Sequence, residues 1–176
     1  MTYETVVNGW HDFYVIAGTA SATLVGLLFV GLSLHLRVVV EHADVRAFAR
    51  ITLANFGLIL FVALFMVIPQ SSVAASPQLI GCGVVWLAVV IPSLIAATRS
   101  ERRMLRLRDV LLRYGVSSLS FLAITVAGAL LVAATSFALT LLASATVILL
   151  VISLRNTWDL LVTVGVLTST GHRRAE

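Results

Sequence analysis

Apolar residues run along this chain in long uncharged blocks, and short charged segments separate the blocks. The first block, Phe13 to Leu36 (FYVIAGTASATLVGLLFVGLSLHL), is 24 residues without a charge. That length crosses a hydrocarbon layer of ~30 Å at ~1.5 Å per residue with some tilt, so the block predicts a membrane-spanning helix. At about 100° per residue, Gly18, Thr19, Ala22, Gly26 and Ser33 share one side, and Leu24, Leu28 and His35 share the other. In lipid, burial of apolar surface gives helices no reason to associate. A face of small residues lets a second backbone approach closely, and Gly18-xxx-Ala22-xxx-Gly26 has that spacing. Gly18, Ala22 and Gly26 are therefore the candidate helix-packing residues.

The same pattern predicts further spans. A second, about 51–68, stops at Pro69, which cannot continue the backbone ladder, and Asp44 is placed to cap the helix leading into it. Gln70 to Gln78 is an uncharged turn in which Ser76 and Pro77 read as the N-cap and first-turn pair of a third span, about 79–98. Pro92 predicts a bend within that span. From Tyr114 to Leu154 the chain is apolar for 41 residues, about twice what one crossing needs. It divides into spans at about 114–132 and 137–154, with the reversal between Ala133 and Ala138. Beyond it, a helical apolar pattern continues to about residue 168. The expectation is an all-α, single-domain integral membrane bundle of five transmembrane helices occupying residues 1–176.

Composition fixes the class. Hydrophobic residues make up 60% of the chain, charged residues only 11%, and the mean hydropathy is +1.05, far outside the soluble range. All twelve basic residues are arginine. Five spans place every arginine on one side: Arg37 to Arg50 in one connector, Arg99 to Arg113 in another, and Arg155, Arg173 and Arg174 at the end. By the positive-inside rule this side is cytoplasmic and the N-terminus is outside. Four spans would move the last three arginines outside. The N-terminal dozen residues hold no arginine and do not form the charged start of a signal peptide, so the first helix is expected to stay in the mature protein. The expected location is the cytoplasmic membrane, multi-pass.

Charge also narrows the partners. Arg99, Arg102, Arg103, Arg106, Arg108 and Arg113 crowd one connector, with Met104, Leu107, Leu111 and Leu112 at helical spacing. They anchor topology and attract anionic lipid headgroups by about 1 kcal/mol each near the surface. The high pI is thus accounted for by the membrane, and no nucleic-acid partner is expected. Cys82 is the only cysteine, so no intrachain disulfide forms, and its apolar setting reads as packing.

Catalytic spacing is missing: there is no GxSxG, HExxH, paired-cysteine or P-loop pattern. No enzyme activity, cofactor or metal site is expected, and His11 beside Asp12 reads as a solvated interfacial pair. The apolar interiors of the first four spans carry no acidic residue, which argues against proton-coupled exchange. The hydroxyls of Thr19, Thr23, Ser33, Ser118, Thr125, Thr140 and Ser144 can line a passive path or bond to backbone, the commoner use in membrane helices. One polar group stands out at the cytoplasmic end, where His35, Asn55, Arg155, Asn156 and Asp159 reach a similar depth. Arg155 and Asp159 are spaced i, i+4, and these five residues are expected to form an inner polar cluster; the alternative is that Arg155 reaches the headgroups while Trp158 anchors the interface.

GTASATLVGLLFVGLSLHL near the start and LRNTWDLLV near the end resemble segments of small bacterial polytopic membrane proteins. The resemblance covers the first and last spans and implies a shared architecture; it brings no activity. The expected role is non-enzymatic: a homo-oligomer, or an accessory subunit assembled with another membrane protein through helix–helix contacts. The alternative is an oligomeric channel for an ion or small solute.

Overall fold

The computed structural model describes residues 3–99, 107–131 and 136–173, and among these every element is helical. The order is α1 (Tyr3–Leu34), α2 (Leu36–Glu41), α3 (Ala43–Val67), α4 (Ser72–Arg99), α5 (Leu107–Leu131) and α6 (Ser136–Arg173). Three helices are long and apolar enough to cross a membrane, over Gly9–Leu34, Val45–Val67 and Phe137–Thr168. α4 and α5 hold shorter apolar stretches, Val73–Ala88 and Ser117–Leu131. At ~1.5 Å per residue, the 38 residues of α6 extend about 57 Å, well beyond one hydrocarbon thickness.

Local chemistry explains the helix ends. Ile68 takes an extended backbone, φ −69° and ψ 125°, as the residue before Pro69 must, and α3 stops there. Ser71, not Ser76, caps α4: its Oγ accepts from the Ala74 N–H at 3.4 Å. The Ser76 hydroxyl instead donates to the Gly128 carbonyl of α5 at 2.6 Å, so a tertiary contact takes the group that the sequence offers as a cap. Pro77 and Pro92 both lie inside α4. At the other end of α3 the N-cap position is His42, with no side-chain cap bond. The short α2 carries an Arg37–Glu41 ion pair at 3.0 Å.

α3 is the central helix, packed against α1, α4 and α6, while α5 packs on α4 and α6. Phe56, Leu58 and Val62 of α3 are each fully buried. The apolar interior falls into two clusters. The larger joins Tyr14 and Ala17 of α1, Phe56 to Met66 of α3, Leu79 of α4, Phe121 to Leu131 of α5 and Ala138 to Leu149 of α6. The smaller joins Leu28, Val45, Ala49, Leu160 and Val164.

Close backbone approach is made at three glycines. A Cβ added at Gly18 would stand 2.9 Å from the Ala63 Cβ, and one at Gly128 would meet Leu79 Cβ at 3.0 Å and the Ile80 backbone N at 3.2 Å. One at Gly83 would run into the Thr125 side chain. The α4–α5 crossing is therefore the tightest seam in the bundle, and it is stitched by the Ser76 bond.

Candidate functional site

Between the two apolar clusters lies a layer of buried polar side chains. On α3 the gap between Ala49 and Phe56 contains Thr52 and Asn55, both 0% exposed; on α6 the gap between Leu149 and Leu160 contains Ser153, Asn156 and Thr157. Ser117 and Ser120 stand immediately before the α5 part of the larger cluster, and Ser21 lies between Ala17 and Leu28 on α1. Four helices thus place polar groups at one level of the bundle.

Hydrogen bonds tie part of this layer together. The Asn55 Nδ2 donates to Ser117 Oγ at 3.1 Å across α3 and α5, and Ser21 Oγ donates to the Phe56 carbonyl at 2.7 Å across α1 and α3. The hydroxyls of Thr52, Ser153 and Thr157 return to carbonyls four residues earlier on their own helices, at 3.0, 2.7 and 2.8 Å. In this layer two buried polar atoms, Asn55 Oδ1 and Asn156 Nδ2, have no hydrogen-bond partner among the described residues. One is an acceptor and the other a donor.

The five residues expected to cluster are divided. Asn55 and Asn156 are in the layer. Arg155 is exposed and takes part in no ion pair among the described residues, and Trp158 is also exposed. Asp159 is half-buried, and its backbone carbonyl accepts from Thr163 Oγ1 at 2.7 Å. His35 stands in the turn between α1 and α2, its ring Nδ1 3.1 Å from the Gly31 carbonyl of α1. The i, i+4 spacing of Arg155 and Asp159 thus stands beside the buried stripe of α6, which runs through Leu149, Ser153, Asn156, Leu160 and Val164. That stripe is the sequence signal for Asn156, an asparagine at a core position of an apolar helix. Ser117 and Ser21 carry no such signal, because their partners lie 62 and 35 residues away.

The helix-packing candidates are also divided. Gly18 abuts Ala63 within the chain, whereas Ala22 and Gly26 are exposed and a Cβ at Gly26 would meet nothing within 4 Å. The inward face of α1 mixes small and large residues: Ala17, Ser21 and Leu28 are buried and Leu24 packs against the larger cluster, while Leu27 and Val30 are exposed. Of the connector arginines, Arg102, Arg103 and Arg106 lie outside the described residues, as do the side chains of Arg99, Arg108 and Arg113. A groove of about 320 Å³ between α3 and α4 is walled by Phe61, Phe65, Cys82, Val85 and Trp86, with Gln78 its one polar side chain.

Compared with protein families, curated proteins and solved structures, the chain matches none.

Proposed function

We propose that this chain is a five-span protein of the cytoplasmic membrane, N-terminus outside and C-terminus inside, that works by helix–helix association. It assembles as a homo-oligomer or as an accessory subunit of a membrane complex, without catalysing a reaction. The observation that carries this reading is the outer face of α1. Thr19, Ala22, Thr23 and Gly26 form one exposed strip at i, i+3, i+4, i+7. The two threonine hydroxyls donate to the carbonyls of Val15 and Thr19 at 2.8 and 2.9 Å, so the strip makes no unmet polar demand. It is narrow, smooth and set in an apolar span, the surface on which a second helix packs closely in lipid. α1 is also the least buried of the three long apolar helices.

The channel alternative draws less support. Of the hydroxyls that would line a path, those of Thr19, Thr23, Ser33, Thr125 and Ser144 each donate to a carbonyl one turn back on their own helix. Their donors are spent on backbone. The arginine connectors hold the bundle to the cytoplasmic leaflet, where anionic lipid attracts them.

Mass photometry in lipid nanodiscs tests the association. Gly26→Leu should shift the population to a smaller species while leaving the thermal midpoint close to wild type, since a Cβ there meets no atom of the chain. Gly31→Leu should do the reverse. Its Cβ would press on Leu161 Cδ2 at 2.7 Å, the end of a flexible side chain, so a modest loss of stability is expected with the assembly intact. Equal masses for Gly26→Leu and wild type would rule out the α1 strip as the contact.

A further inference from the structure

The buried polar layer contains an unmatched pair whose chemistry is complementary. Asn55 is 0% exposed and Asn156 1% exposed. The first leaves a carbonyl oxygen and the second an amide N–H₂ without a partner among the described residues. Of three asparagines in the chain, Asn8, Asn55 and Asn156, two occupy this one level, on the packed helices α3 and α6. Among the described residues, the layer's buried polar members are serine, threonine and asparagine, with Ile51 and Ala54 buried beside them and no charged side chain. An orphaned polar group in such a place is costly, and more so in a span where lipid offers no replacement partner.

We propose that the layer at Asn55 and Asn156 is a binding site for a resident water molecule. The water donates one hydrogen bond to Asn55 Oδ1 and accepts one from Asn156 Nδ2. The ligand is neutral, because among the described residues no charged side chain is buried in the layer to balance an ion; it is both donor and acceptor, because one orphan is of each kind. Water meets both demands, and a hydroxyl that donates to backbone, as those of Thr52, Ser153 and Thr157 do, keeps a lone pair able to accept its second proton. Such waters normally make about three hydrogen bonds to groups otherwise unsatisfied. Through it α3 and α6 are joined at the level of the layer.

The test uses the whole protein in lipid nanodiscs with ¹⁵N placed only in asparagine, so that three side-chain amides are seen. They are assigned with Asn156→Ser, or by exclusion with Asn8→Ser and Asn55→Ser should that variant not fold. A rotating-frame experiment selective for water should give a cross-peak to the Asn156 amide protons with the sign of a dipolar contact, opposite to that of chemical exchange. Loss of that cross-peak in Asn55→Leu, with the Asn156 amide shift moved, is the second expected result. Two outcomes overturn the site: an Asn156 amide with no dipolar contact to water, or a direct contact between the Asn55 and Asn156 amides without one to water.

Discussion

Gly128→Leu should lower the thermal midpoint of the bundle more than any change on the lipid-exposed faces, at a cost of about 3 kcal/mol. Overpacking is usually relieved by a side chain that swings aside, but here the nearest atoms include the Leu79 Cβ and the Ile80 backbone N. Neither can move without moving α4. Forcing α4 from α5 also stretches the Ser76 bond to the Gly128 carbonyl, worth about 1 kcal/mol. The comparison is Gly165→Leu on α6, where an added Cβ meets nothing within 4 Å and the substitution improves helix propensity. Circular dichroism melts of both variants in nanodiscs decide it. Similar midpoints would mean that α4 and α5 are not held at the separation described.

The second large effect concerns charge in the polar layer. Asn55→Asp keeps the shape and places a carboxyl at a position that is 0% exposed. With no buried cation beside it among the described residues, burial penalises the ionised carboxylate and not the neutral acid. Stability is therefore kept at low pH, where the acid is neutral, and lost as pH rises and the unfolded chain ionises more readily, by at most about 1.4 kcal/mol per pH unit. The midpoint of Asn55→Asp should thus approach that of wild type near about pH 4 and fall progressively behind it toward about pH 8. A difference that does not change with pH would place Asn55 in contact with water or with a cation, against the layer as described.

These two positions show what the sequence could and could not reveal. The apolar blocks announced long helices because length and freedom from charge are local properties, and Pro69 ended α3 because its effect on Ile68 is local too. Long-range choices were hidden. Ser76 and Pro77 carry the signature of a helix start, yet the helix begins at Ser72 and Ser76 bonds to a carbonyl 52 residues away. The tight glycines, Gly83 and Gly128, have no GxxxG spacing of their own; each is small because of what another helix puts opposite it. On α1 the periodicity grouped Gly18 with Ala22 and Gly26, but which residues face the bundle was decided by the neighbouring helices, which take Gly18 and Leu28 and leave Ala22 and Gly26 outside. Asn156 belongs to the buried stripe of α6, and its neighbour Arg155 drew attention because a charge is conspicuous in an apolar sequence even when it points outward.

The most direct measurement of the account is the sidedness of the chain. In a Cys82→Ala background, single cysteines at Ser72, Ala134 and Arg103 are exposed to a membrane-impermeant thiol reagent in intact cells and again after lysis. Five spans with the arginine connectors inside predict labelling from outside at Ser72 and Ala134, and at Arg103 only after lysis. Protection of the Ala134 site together with external labelling of a cysteine at the C-terminus would establish four spans, and external labelling at Arg103 would invert the bundle; either result contradicts the account.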